Sequence, residues 1–524
     1  MYKFTIVFIL VCLMLGLSAQ NYQIQKVVAS DRDQLDFFGE AVAIDGDYAI
    51  VGSKYQDSDE GAAYIFKVND EGVFEQTAIL EAPDPYAGSY FGHSVAIYNK
   101  TAVVGAPLEA YDATGTNYMT EAGAIYIFTR GDGEEWSFWQ KIVPADRDYL
   151  AQFGYSVALH GEHMVVSARS EKKDENGLNP ITEAGAAYTL IRDGDLWVIN
   201  QKIVASDRDE QDWFGEDLAI YGNTIVIGVP WEDEDASGGN TLDRSGSAYV
   251  FSFNTDDVWV EYQKIVLEDR EKWDQFGFSV SIWDEQIAIG ANFKDKPGAV
   301  NIIDAGSVYM YELNGSIWEQ VDQLYSEDAY YFDEFGYSVS LNGNHLLVGA
   351  YSSDDYGQGT QEIFNAGAAY YFQNSKGTWS QVDKIVAPVR AEADNFGIDV
   401  FINSEGTGII GAMREDEDQN EQNTIMDAGA AYFFKSGTSS IVKNNFPGKV
   451  SAFPNPAVDQ LSLQFEKEYD LNIQIRDLMG RAINTYQYAK ASNISIELTS
   501  LPVGMYMLVI ESENYRMIRK VLKK

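Results

Sequence analysis

A Phe-Gly dipeptide returns seven times along this chain, and nothing else in the sequence limits the fold so strongly. The pairs are Phe38-Gly39, Phe91-Gly92, Phe153-Gly154, Phe214-Gly215, Phe276-Gly277, Phe335-Gly336 and Phe396-Gly397, at intervals of 53, 62, 61, 62, 59 and 61 residues. A fixed period of this size marks an array of like units that share one core. Each unit holds four short runs of alternating pattern, rich in Val, Ile, Tyr and Phe and punctuated by Gly, Asn and Asp. In the fourth unit they read GEDLAIY, TIVIGVP, GSAYVFSF and WVEYQKIVL. Such runs predict strands, and the Tyr221-Gly222-Asn223 link between the first two predicts a tight hairpin.

Seven units of four antiparallel strands predict an all-β, seven-bladed propeller. A β-solenoid fits less well, because its coils are shorter than about 60 residues. Small residues in the first strands, as in Gly154-Tyr155-Ser156-Val157-Ala158, suit a crowded axis where only Gly, Ser and Ala are expected to fit. The Phe of each pair is expected to wedge between blades while the Gly lets backbones approach. The seventh unit lacks a fourth run, and an unmatched one, YQIQKVVAS, precedes the first pair. Tyr22 to Ser30 is therefore expected to complete the last blade and close the ring, which removes an exposed sheet edge.

The ends of the chain read differently. Lys3, an apolar run and small residues up to Ala19 predict a secretory signal peptide over residues 1–19. Its Cys12 is the one cysteine of the chain, so neither disulfides nor thiol chemistry are expected in the mature protein. The repeat pattern predicts a propeller over 20–446 and a separate small β-sandwich-like domain over 447–524. Charge separates them. Pro447 to Lys524 holds 10 basic and 8 acidic residues, whereas Gln20 to Phe446 holds 26 and 72. A propeller of net charge −46 repels nucleic acid and anionic membranes, so neither is expected as a partner. Its 45% hydrophobic and 13% aromatic content for the whole chain argues against disorder.

FGHSVAIYNKTAVVGAPLEA followed by EAGAIYIF, from Phe91 to Phe128, resembles the FG-GAP repeat of integrin alpha propellers and many secreted bacterial proteins. The C-terminal segment resembles the sorting domain of type IX secretion substrates, on Pro454-Asn455-Pro456, on Gly480 within DLMGRAI, and on Gly504 and Tyr506 within LPVGMY. That resemblance implies a Gram-negative source, the type IX machinery as a partner, and a protein released or held at the outer cell surface. Integrin-type repeats hold calcium in an Asp-rich loop between the first and second strands. Here that link is a short hairpin such as Asp45-Gly46-Asp47, so the calcium site is not carried over.

Carboxylates gather elsewhere, before each Phe-Gly pair and between the second and third strands. In an up-and-down blade both places lie on one face. Asp31, Asp33, Asp36, Asp207, Asp209 and Asp212 are candidate ligands for Ca2+. The competing reading makes Asp-Arg-Asp a turn device, with Arg32, Arg147, Arg208 and Arg270 paired to neighbouring carboxylates. Trp213, Trp231 and Trp273 fall in the same loops and are candidate ligand contacts. The tryptophans that recur in the fourth strands read as packing. With four histidines and no nucleophile, phosphate-loop or zinc-protease motif, catalysis has little support. The expected function is an adhesion-like binding module taking a protein or glycan on the acidic loop face. A hydrolase of extracellular glycans, or a passive surface-layer protein, are the alternatives.

Overall fold

The computed structural model describes residues 22–354, 363–436, 450–454, 457–476, 482–499, 501–512 and 516–524. The expected signal peptide, the 446/447 boundary, Asn455, Pro456 and Gly480 lie outside the described residues. The chain divides into two compact units after Ser436.

In the first unit the strands form seven antiparallel four-stranded sheets. Blade 4 is typical: Leu218–Tyr221, Thr224–Val229, Ser247–Phe253 and Trp259–Ile265 pair in sequence order. The first strands of neighbouring blades touch all the way round, including the last against the first, so they are innermost. Besides strands there is one helical turn, Gln56–Asp59, among the described residues. The seventh blade takes its fourth strand from the chain's beginning: Tyr22–Val27 pairs antiparallel with Ala431–Ser436.

The Phe-Gly pair is the joint between blades. All seven Phe side chains are fully buried. Phe276 packs edge-on against Tyr309 of its own blade, at 5.5 Å, while its backbone N–H donates to the Ser245 carbonyl of the preceding blade. Gly277 then adopts φ +91°, a region closed to most L residues. A second joint runs along the outer strands. The side-chain amide of Gln201 donates to the Trp259 carbonyl at 2.8 Å and accepts from the Trp259 N–H at 2.8 Å, so it acts as a one-residue strand between blades. Gln25, Gln140 and Gln263 do the same to Phe74, Trp197 and Trp318. Of the fourth-strand tryptophans, Trp197, Trp259, Trp318 and Trp379 are buried and Trp136 is half-buried.

The second unit is a five-stranded antiparallel sheet built from Ser451–Phe453, Gln460–Arg476, Ala482–Glu497, Gly504–Glu511 and Arg516–Lys523. Its two long strands break register between Gln464 and Tyr469, and its own core gathers Leu461, Ile473, Ile475, Ile496, Leu508 and Ile510. Gly504 sits at the start of a strand, opposite Lys523. Tyr506 is buried in this core, with its hydroxyl donating to the Pro502 carbonyl at 2.8 Å.

Candidate functional site

The recurring acidic residues mostly build the propeller. In blade 4 the Tyr249 hydroxyl lies within hydrogen-bond distance of two carboxylates, Asp207 at 2.6 Å and Glu232 at 2.9 Å. Lys264 bridges the same two carboxylates at 2.8 and 3.0 Å. Blades 2 and 3 repeat the cluster with Tyr126, Asp84, Glu109 and Lys141, and with Tyr188, Asp146, Glu171 and Lys202. Blade 5 inverts it. Lys294 stands where blade 4 has Glu232, and Gln323 stands where it has Lys264. Lys294 reaches Asp274 at 3.0 Å and Asp269 at 3.4 Å, and Gln323 donates to the Tyr309 hydroxyl at 2.7 Å. The swap keeps one cation inside each cluster, because a buried carboxylate without a partner costs several kcal/mol.

The Asp two residues before the Phe-Gly pair is a turn device. Asp36, Asp212, Asp274, Asp333 and Asp394 are buried. Each accepts the backbone N–H three residues earlier, from Asp33, Asp209, Glu271, Tyr330 and Ala391. Asp33 and Asp209 accept the next residue's N–H. The arginines differ from expectation. Arg32, Arg147, Arg208 and Arg270 donate to backbone carbonyls of the preceding blade's loop, not to carboxylates. Arg147, for example, reaches the Asn117 and Ala110 oxygens at 2.9 and 2.7 Å. A planar guanidinium can staple two carbonyls at once, which a carboxylate pair would forgo. These staples also place both loop sets on one face.

The loops between second and third strands carry a frame that the sequence reading missed, Asp-x-x-x-x-Asn. Asp235 accepts the N–H groups of Ser237 and Gly239 and the Asn240 side-chain amide. Asp112, Asp174 and Asp418 do likewise with Asn117, Asn179 and Asn423. These hydrogen bonds hold all four carboxyls below the usual carboxylate range. The Asp oxygens of both loop sets are thus turned inward onto the chain. Among the described residues no group of three or more His, Cys, Asp or Glu could hold a metal ion. This donor set does not fit calcium, which needs six to eight convergent oxygens.

Burial sets the protonation of a second group. It raises Asp217, Glu334 and Asp394 to about 7, and Asp36, Asp274, Asp333 and Asp399 to about 6, with nearby acids adding to the rise at several of them. Asp212 and Glu232 move in the same direction for the same reason. A folded pKa above the unfolded one means that the folded state binds protons more tightly. Stability therefore rises as pH falls from about 7 to about 4, the reverse of ordinary acid denaturation, and is lost below that as the depressed carboxyls protonate. We expect the melting temperature to be higher at pH 5 than at pH 7.5 by about 5 °C. Scanning calorimetry across that range checks it. Asp217→Asn and Asp399→Asn should flatten the slope, and a melting temperature that falls steadily below pH 7 would contradict the assignment.

Three tryptophans predicted as ligand contacts come together. Trp213 and Trp231 stack, with ring centroids 3.4 Å apart. The Arg169 guanidinium lies over Trp213 at 4.3 Å. Arg244 lies 3.6 Å from the Trp231 ring and 4.4 Å from that of Trp273. The result is a ladder, Arg169, Trp213, Trp231, Arg244, Trp273, in which cations and aromatic faces alternate around one stacked pair. Trp213 and Trp231 are half-buried within it, and Trp273 is 45% exposed at its end. Arg244 was legible as an exception. In the column Asp59, Glu121, Glu183, Arg244, Asp304, Asn365 and Asp427, the fourth member alone is basic.

At the axis the expectation that only small residues fit is corrected, because larger side chains also stand there. The residue after each Phe-Gly pair is Glu40, His93, Tyr155, Glu216, Phe278, Tyr337 or Ile398. Lys54 pairs with Glu40. Arg169 bonds the Tyr155 hydroxyl at 2.9 Å and Glu216 at 3.0 Å. Arg169 thus joins this axial cluster to the tryptophan ladder.

Comparison with known families agrees with this architecture. A model described as FG-GAP repeat matches seven times, at residues 22–66, 74–128, 136–190, 197–251, 259–311, 318–372 and 379–434. A model described as secretion system C-terminal sorting domain matches residues 451–524. A search of curated proteins gave no match. The sorting domain implies export by the type IX system, to the cell surface or beyond it. Among the described residues no helix is long and apolar enough to cross a membrane. This chain belongs to the FG-GAP repeat proteins, as a seven-bladed propeller carrying a type IX sorting domain.

Proposed function

We propose that the propeller is an adhesion-like binding module that takes a glycan on its loop-rich face, with Trp273 as the principal contact. The observation that carries this reading is the ladder ending in an exposed indole, prearranged by Arg244 and the Trp213–Trp231 stack. A rigid aromatic face loses little entropy on stacking against a sugar ring. The strongly acidic propeller disfavours polyanionic chains, so neutral or amino-bearing glycans fit best. A protein ligand on the same face is the other outcome of the test. Hydrolysis is less well supported, because four carboxylates near the axis each already hold a partner on at least one oxygen. Glu40 and Glu216 are ion-paired, while Asp217 and Asp399 accept the Val280 and Val42 N–H groups of the next blade at 2.8 Å.

The mature chain should show saturable quenching of tryptophan fluorescence when titrated with neutral or amino-sugar polysaccharides and none with polyuronates. Trp273→Ala should weaken binding about tenfold, the effect of losing one aromatic anchor. If no polysaccharide saturates the signal, or the variant binds like the parent, the glycan reading falls.

A further inference from the structure

The axial cluster has polar atoms that the protein leaves unused. Glu40 Oε2, His93 Nδ1 and Arg169 Nε are buried and have no hydrogen-bond partner. Buried polar groups are rarely left so unless water or a ligand completes them. All three belong to one set of side chains. The His93 and Tyr155 rings lie 4.7 Å apart, Arg169 binds Tyr155, and Lys54 and Arg169 both act on His93. Glu40 and Lys54 cancel in charge, as do Glu216 and Arg169. Burial, then Lys54 and Arg169, hold His93 well below its ordinary value and keep it neutral.

We infer that this axial cluster is a second binding site, which takes a neutral polyhydroxylated molecule such as the terminal sugar of a glycan. The inference rests on the glycan reading above for its choice of ligand. The free atoms comprise an acceptor on Glu40, a donor on Arg169 and an imidazole nitrogen that serves as either. Sugar hydroxyls both donate and accept, so they match such an alternating set. The two ion pairs leave no surplus positive charge, and Asp217 and Asp399 stand beside them, so the site disfavours anions. The Phe278 ring, 4.8 Å from that of Tyr337, adds apolar surface for the C–H side of a sugar. Through Arg169 the site is continuous with the ladder that ends at Trp273, so one chain could engage both.

The chain has four histidines, which makes His93 readable by itself. Histidine-labelled mature protein should give a small set of imidazole NMR signals, with that of His93 assigned by His93→Gln. Glucose, galactose, mannose and N-acetylglucosamine are titrated separately to about 50 mM, above the millimolar Kd expected of a single-sugar site. At least one should shift the His93 signal saturably and leave His160, His163 and His345 in place. Glu40→Gln should weaken that response about tenfold, and Trp273→Ala should leave it unchanged. No response to any of the four means that water fills the cluster, and the inference is overturned. A response to glucuronate or to free amino acids instead overturns the neutral class. Failure of polysaccharide binding with an intact His93 response would remove the rim reading alone.

Discussion

A chain lacking Tyr22–Val27 should not hold a folded propeller. That strand supplies the whole outer edge of blade 7, pairing residue by residue from Val27 opposite Ala431 to Tyr22 opposite Ser436. It also brings Lys26, which meets Glu415 at 3.1 Å and Glu421 at 3.2 Å. Glu415 is fully buried. Burial alone would raise its pKa, but the Tyr432 hydroxyl and Lys26 outweigh it and hold the carboxyl below its ordinary value. Without the strand, that charge is left inside with no cation, at a cost of about 3–5 kcal/mol. The Gln25 clamp on Phe74 is lost as well, and with it the tie between blades 7 and 1. A row of unpaired backbone groups is then exposed on Ala430–Ser436, which invites aggregation. The expected result is a species digested rapidly by protease, with a melting transition broadened or absent by circular dichroism. Lys26→Met tests the charge alone and should cost about 3 kcal/mol in urea unfolding. A truncated protein that melts within about 2 °C of the parent would show that the ring does not depend on closure.

Gly277→Ala should be nearly as damaging. At φ +91° a side chain is strained, and its Cβ would fall inside contact distance of the Ser247 carbonyl oxygen, with the Val229 nitrogen 3.0 Å away. Both are backbone atoms within blade 4, so neither can turn aside without separating the blades. The expected loss is about 4 kcal/mol or more. Gly222→Ala is the control. Gly222 also has positive φ, +55°, but a Cβ there meets nothing within 4 Å. It should cost about 1 kcal/mol, the strain of the left-handed region alone. Urea midpoints of the two variants separate close approach from conformational strain. Equal losses would mean that the Phe-Gly glycine is kept for its φ and not for the blade joint.

The repeat legible in the sequence carried the architecture because every blade states it anew. Phe, Gly and the alternating strands act locally, and seven copies leave few other ways to bury them. The missing fourth run was legible too, since one unmatched copy at the start and one gap at the end can only satisfy each other. The loop face was harder. Asp207, Asp209 and Asp212 stand close in sequence, yet they point to three partners: the Tyr249–Lys264 cluster, the Glu210 N–H and the Asp209 N–H. Spacing cannot say whether neighbouring carboxylates converge on one point, because direction is set by loop dihedrals and by what packs beneath.

The same limit explains the arginines and the axial cluster. Arg32, Arg147, Arg208 and Arg270 lie between carboxylates in the chain but reach across to carbonyls of another blade, about 30 to 40 residues away for the internal three. Arg169, Trp213 and Arg244 come from two blades and three loops. Only their stacking in space turns separate exceptions in the repeat into a ladder. By itself, then, the sequence determined the number of blades, their strand pattern, the closure and the exported, sorted character of the chain, all of which rest on local periodicity and motif. The tertiary structure decided which carboxylates are structural, where Trp273 is left exposed, and that Glu40, His93 and Arg169 meet at the axis with free polar atoms. Those depend on side-chain direction and burial across blades, which no spacing along the chain encodes.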